Sequence, residues 1–353
     1  MTIDEQTRAF ASDNYAGAHP EVLAAIAAAN VGHDVAYGED AWTARLVESM
    51  RGLFGEQTEV FPVFNGTGAN VTALTSLMPR WGAVVTTSTA HINTDEGGAP
   101  ERVSGLKLLT VDTPDGKLTP ELVDRHAWGW GDEHRAQPLT VSITQTTELG
   151  TLYTVDEVRA IADHAHARGM TLHMDGARIA NAAAALGVPL RDFTVDAGVD
   201  ILSFGATKNG ALYGEAVVVL DPSVSDGLAY LRKLTMQLAS KMRFVSAQLL
   251  ALLDDDLYLR AAGHSNAMAA RLRTSLESAI ASGSISGLSF SQPTEANAVF
   301  AKLPAGVADR LRESFRFYDW DAAANEVRWM ASFDTTEADI DAFVAAITRE
   351  LAV

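Results

Sequence analysis

The chain has 353 residues, 47% apolar and 20% charged, enough to bury a sizeable core in a large domain plus a smaller one. A net charge of −18 argues against a nucleic-acid partner, whose phosphates need a basic face, and against an anionic membrane surface. With no cysteine, disulfides, thiolate metal sites and thiol nucleophiles are excluded. The opening stretch MTIDEQTRAFASDNYAG lacks the basic-then-apolar profile of a signal peptide. No apolar run approaches the ~18 residues of a membrane span, so a cytoplasmic protein is expected.

After a polar arm over residues 1–18, Pro20 suits the first turn of a helix over 19–29. A second helix over 41–54 carries Leu46, Met50 and Leu53 at three- and four-residue spacing. Short β-rich runs follow at 60–64, 83–87, 106–111, 139–143, 171–174, 201–204 and 216–220. Helical stretches lie between most of them, at 69–77, 120–125, 156–167 and 177–186. Strands that are apolar throughout and alternate with helices predict an α/β domain, its mostly parallel sheet covered on both faces. A long helix over 228–253, broken near Ser240, closes this large domain, residues 19–254. Beyond it the texture changes. A helix over 256–281, strands at 288–290, 298–303 and 327–331, and helices at 305–314 and 336–351 predict a smaller α+β domain, residues 255–353.

Four segments carry candidate chemistry, and each has a plain alternative. In Ser203-Phe204-Gly205-Ala206-Thr207-Lys208-Asn209-Gly210 a strand ends and a lysine follows among small residues. Ligands of open α/β sheets bind at such strand ends, and covalent work by lysine needs a neutral amine, which desolvation or a nearby cation favours. A loop lysine in water is the alternative. In Leu172-His173-Met174-Asp175-Gly176-Ala177-Arg178 a strand-end aspartate could pair with a protonated pyridine nitrogen, and the arginine fork suits a substrate carboxylate. A helix cap and an exposed arginine would explain the same residues. Phe64-Asn65-Gly66-Thr67-Gly68-Ala69-Asn70 runs from a strand through a Gly-rich turn into a helix, where backbone N–H groups could bind phosphate. It matches neither a Walker motif nor a dinucleotide fingerprint, and a simple turn is its alternative. His91, after the strand at 83–87, could stack on a planar cofactor and move protons. A metal site with Asp95 and Glu96 lacks a second nearby histidine, and a structural histidine is the plain reading. One cofactor bearing a phosphate, a pyridine nitrogen and an aldehyde would use all four segments together.

The sequence resembles the threonine aldolase family, in the β-eliminating lyase group of fold-type I pyridoxal-phosphate enzymes, in its low-specificity L-threonine aldolase and phenylserine aldolase branch. FASDNYAG, VGHDVAYGEDAWTARLVE, FNGTGAN, AHINTDEGGAP, ITQTTELGTLYT, HMDGARIANA, DILSFGATKNGALYGEAVV, SKMRFVSAQ and EVRWMASFDTT carry the likeness over nearly the whole chain. It implies a pyridoxal 5'-phosphate enzyme that cleaves threonine, allo-threonine or phenylserine to glycine and an aldehyde. β-Elimination, racemisation and transamination are the rival reactions on this scaffold. By resemblance, Lys208 bonds to the cofactor aldehyde, Asp175 to its pyridine nitrogen, and Gly66, Thr67 and Gly68 to its phosphate. His91 stacks on the ring and helps handle the substrate hydroxyl, while Ser12, Arg178 and Arg328 bind the substrate carboxylate. Tyr37, Lys241 and Arg243 are contributed across a dimer interface, Arg243 towards the neighbouring phosphate. The implied assembly is a dimer with shared active sites, paired into a tetramer. One departure stands out. Many members carry a His-Asn pair where this chain has Thr146-Thr147-Glu148-Leu149, which leaves His91 or a water to act on the hydroxyl.

Overall fold

The computed structural model describes residues 9–353; the first eight residues of the expected N-terminal arm lie outside the described residues. The larger sheet holds β1 (Glu59–Val63), β2 (Gly82–Thr87), β3 (Lys107–Val111), β4 (Gln137–Thr144), β5 (Thr171–Gly176), β6 (Ile201–Phe204) and β7 (Glu215–Val219). Their spatial order is β1-β7-β6-β5-β4-β2-β3. Strands β2 to β6 pair in parallel, and all residues of β2, β6 and β7 are buried, which is why these strands are mostly apolar. β7 is antiparallel to both β6 and β1, so β1 points the same way as β6. The link from β6 to β7 contains no crossover helix, and only an antiparallel return is open to so short a connection.

Helices α1 (Pro20–Ala29), α2 (Ala41–Phe54), α3 (Gly66–Leu77), α4 (His91–Thr94), α5 (Ala99–Val103), α6 (Pro120–Val123), α7 (Val155–His166) and α8 (Ile179–Leu186) fill the connections. Local chemistry sets several of their starts. Asp40 caps α2 by accepting from the Thr43 N–H at 2.8 Å, and Thr154 with Glu157 forms a reciprocal capping box on α7. The segment expected as one helix over 228–253 forms two, α9 (Leu228–Leu234) and α10 (Arg243–Leu253). The break spans residues 235–242 and includes Ser240, as expected; Met236 within it takes a left-handed φ of 62°, which a continuing helix cannot contain. The first two residues of the helix expected over 177–186 are instead turn, because β5 runs on to Gly176.

The second sheet, β10-β11-β9-β8, is antiparallel throughout and comprises β8 (Ser289–Phe290), β9 (Ala298–Lys302), β10 (Tyr318–Asp321) and β11 (Glu326–Met330). β10 escaped the sequence reading because it is an edge strand with charged residues and little burial. Helices α11 (Leu257–Ala281), α12 (Val307–Arg312) and α13 (Glu337–Leu351) complete this part of the chain. Among the described residues no helix is long and apolar enough to cross a membrane.

Phe10 ties the start of the chain to this second sheet. Its N–H donates to the Arg316 carbonyl at 2.8 Å, and its carbonyl accepts from Met330 at 2.9 Å. Its ring stacks on Phe343, with centroids 4.4 Å apart, and Phe315, Phe317 and Trp329 surround the same ring. Phe343 is therefore the hub of an aromatic core. Phe343→Ala is expected to cost about 3–5 kcal/mol, the usual range for emptying a buried phenyl site. Chemical denaturation of the purified variant measures it, and a loss below about 1 kcal/mol would contradict the packing described.

Candidate active site

Strands β1, β2, β4, β5 and β6 all finish on one edge of the larger sheet, so the segments after them converge there. In register, Thr144, Asp175 and Ser203 lie side by side at that edge. A cleft of about 190 Å³ opens above them, lined by Gly66, Thr67, His91, Asp175, Lys208 and Glu215 among others. Chain direction thus gathers residues that are far apart in sequence. Lys208 sits in a single 3₁₀ turn, Thr207–Asn209, directly after β6. Gly66 and Thr67 open α3, where Asn65 caps the helix by accepting from the Gly68 N–H at 2.7 Å. The Asn65 cap takes the Gly68 N–H, an amide that the expected phosphate site would share. Gly68 also has a packing reason: a Cβ there would collide with the Gln237 side chain, which lies against the turn and accepts from the Phe64 N–H.

A buried hydrogen-bond chain runs through the cleft wall. The Asn70 amide donates to Asp175 Oδ2 at 2.9 Å and to Glu96 Oε1 at 2.8 Å, and Glu96 Oε1 also meets His91 Nδ1 at 2.9 Å. The hydrogen bond to Glu96 raises the His91 imidazole above its ordinary pKa, more than burial lowers it. Burial raises the Glu96 carboxyl in turn. The Asp175 carboxylate also accepts from the Ala177 N–H at 3.0 Å. Beneath it His173 is buried between Ser142 and Ser203, and burial pushes it down to about 4, so it is neutral there. Glu215, at the start of β7, accepts from the Ala206 and Thr207 amides, and burial pushes its carboxyl up to about 7.

The arginines form a second cluster. Arg178 is buried, and one edge of its fork is already occupied: Nε and Nη2 donate to Asp13 at 2.7 and 3.1 Å. A guanidinium this deep needs a permanent counter-charge, and Asp13 leaves Nη1 as the part of the fork it does not hold. Its remaining Nη1 faces Glu148 Oε1 at 3.8 Å, and Arg328 Nη1, arriving from β11, faces Glu148 Oε2 at 3.6 Å. Ser12 is next to Asp13, its hydroxyl accepting from the Asn14 N–H at 3.2 Å. Tyr37, Lys241 and Arg243 do not join the cleft. Tyr37 is half exposed with a left-handed φ of 64°, while Lys241 and Arg243 line a separate groove with residues 32–36.

A family model described as beta-eliminating lyase matches residues 9–302. This chain belongs to the β-eliminating lyase family. The low specificity L-threonine aldolase of a Pseudomonas species is 44% identical over 347 residues, 98% of each chain. That of Pseudomonas aeruginosa is 44% identical over 335 residues, 94% of this chain and 95% of the relative. The solved threonine aldolase of Leishmania major superposes with a TM-score of 0.89 at 30% identity, covering 96% of this chain and 98% of that one.

For a β-eliminating lyase the cofactor is pyridoxal 5'-phosphate, and the residues present fit it. The amides of Gly66 and Thr67 open a twelve-residue helix, an anion site by dipole and geometry, and a Cβ at Gly66 would meet nothing within 4 Å. Asp175 offers a buried carboxylate and Lys208 an amine on the same cleft. Sequence reasoning missed Asp13, Asn70, Glu96, Glu148 and Glu215 as working residues. A signal existed for Asn70, a polar residue in an otherwise small and apolar helix face, and for Glu148, which sits in the noted departure. Asp13→Asn removes the charge that Arg178 depends on and is expected to cost about 3–5 kcal/mol of stability. Denaturant titration tests this, and an unchanged midpoint would show that Glu148 alone suffices.

Proposed function

We infer that this chain is a pyridoxal 5'-phosphate-dependent aldolase that cleaves threonine and related β-hydroxy-α-amino acids to glycine and an aldehyde. One observation carries the reading: Lys208, Asp175, His91 and the amino end of α3 line a single cleft in a chain 44% identical to named threonine aldolases. Lys208 would hold the cofactor's aldehyde carbon, Asp175 its pyridine nitrogen, and the Gly66 and Thr67 amides its phosphate. When bound, the cofactor supplies an electron-withdrawing ring that accepts the electron pair left at Cα as the Cα–Cβ bond breaks.

The chain's own residues do the rest. Arg178 Nη1 and Arg328 receive the substrate α-carboxylate beside Ser12, which fixes the orientation of the bond to be broken. Glu96 takes the proton-bearing Nδ1 of His91, so Nε2 is the nitrogen that accepts the proton of the β-hydroxyl. Tyr37, Lys241 and Arg243 serve the neighbouring subunit's cleft in a dimer with shared sites, two dimers making a tetramer. The exposed apolar side chains of Tyr230 and Leu234 on α9 and of Met236 just after it support a subunit contact there. A cytoplasmic setting completes the reading, in keeping with a chain free of cysteine.

Incubation with threonine, allo-threonine and phenylserine should release acetaldehyde or benzaldehyde together with glycine. Pyruvate, a D-amino acid or a keto acid as the product would assign one of the rival reactions instead. Lys208→Ala should lose both the absorbance band of lysine-linked cofactor and turnover; a variant retaining both would refute the lysine's role. Glu96 raises His91, so Glu96→Gln should shift the acidic limb of the kcat/KM profile to lower pH. A limb that stays in place would remove His91 as the proton acceptor.

A further inference from the structure

We propose that Glu148 is a displaceable counter-ion, neutralising Arg178 and Arg328 in the free enzyme and taking up a proton when a substrate carboxylate binds them. The inference rests on the reading that these two arginines form the carboxylate site. Glu148 lies just after β4 at the carboxyl edge of the sheet and is buried, yet its ion pairs of 3.8 and 3.6 Å are both beyond hydrogen-bond length. Its Oε1 and the Nε of Arg328 are buried without a hydrogen-bond partner. Asp13, the other carboxylate on Arg178, is saturated: it takes two bonds from the guanidinium and a third from Asn297 at 3.1 Å. Of the two carboxylates, one is fixed and the other is loosely held.

Charge balance then calls for a proton. Asp13 and Glu148 balance Arg178 and Arg328, so a third carboxylate leaves this buried cluster with one uncompensated negative charge. Buried excess charge is costly, and such groups neutralise instead. The groups facing Glu148 are Arg178 from the turn after β5, Lys208 from the 3₁₀ turn, Arg328 from β11 and His91 from α4. Burial pushes its carboxyl up, but Arg178 first, then Lys208 and Arg328, outweigh that and hold it below the ordinary range. Lys208 is engaged by the cofactor in the holoenzyme, and an arriving carboxylate draws on both guanidinium groups. Each loss raises Glu148. A proton on Glu148 restores the balance and leaves a neutral acid beside the bound substrate.

The test uses holoenzyme and 3-hydroxybutyrate, which is threonine without its amine and so reports carboxylate binding with no chemistry at the lysine. Calorimetry near neutral pH in two buffers of different ionisation enthalpy counts the protons exchanged. Wild type should take up close to one proton per molecule bound, with affinity falling up to about tenfold per pH unit as pH rises above the free Glu148 pKa. Glu148→Gln should take up none, lose that pH dependence and bind more tightly than wild type at alkaline pH. Binding to wild type without proton uptake overturns the proposal, and this needs no variant to fold. Undiminished uptake in Glu148→Gln also overturns it, sending the proton to another group. Arg328→Gln should weaken the probe at least tenfold; unchanged affinity would refute the arginine reading itself, and the counter-ion role with it.

Discussion

The bond between Arg178 and Asp13 is the constraint on which the site's architecture depends. A guanidinium cannot be buried at the carboxyl edge of the sheet without a fixed anion. That anion comes from the first described residues of the chain, which Phe10 anchors to the far sheet. The N-terminal segment must therefore cross from the aromatic core to the cleft. In doing so it aligns β11, and with it Arg328, opposite Arg178. One ion pair brings together the chain's start, the large sheet and the small sheet.

The cofactor-facing half of the site has its own logic. Asn70 uses both hydrogens of its amide on carboxylates, holding Asp175 and Glu96 near each other. Asp175 and His91 are thereby linked through Asn70 and Glu96, so the electrostatics on one side of the cleft bear on the other. His173 beneath Asp175 stays neutral and adds no competing charge. The wall is not fully paired: Asn70 Oδ1 and Glu96 Oε2 are buried without a hydrogen-bond partner.

Much of this was legible in the sequence. Strand ends followed by small residues located Lys208, Asp175 and the α3 turn, because chain direction in a parallel sheet puts successive loops on one edge. The alternation of apolar strands with helices gave the fold class for the same reason. What stayed hidden was set by three-dimensional pairing. Nothing near Asp13 in sequence marks it as the partner of a residue 165 positions away. Nor did anything in the sequence show that the Asn65 side chain caps the Gly68 amide. The antiparallel β7 could not be told from a parallel strand, since a strand buried on both faces is equally apolar in either direction.

The strap at Phe10 has a consequence for how the protein is made. The strands and turns that meet the cofactor are complete once Val219 at the end of β7 has emerged, but Arg328 and the edge that accepts Phe10 lie near the other end of the chain. A nascent chain can therefore build its cofactor cleft while its amino-terminal strap still has nowhere to dock. Arg328, opposite Arg178, joins the cluster only with the last strand. Synthesis order separates a half-site that could hold a coenzyme from a finished site that can select what the coenzyme reacts with.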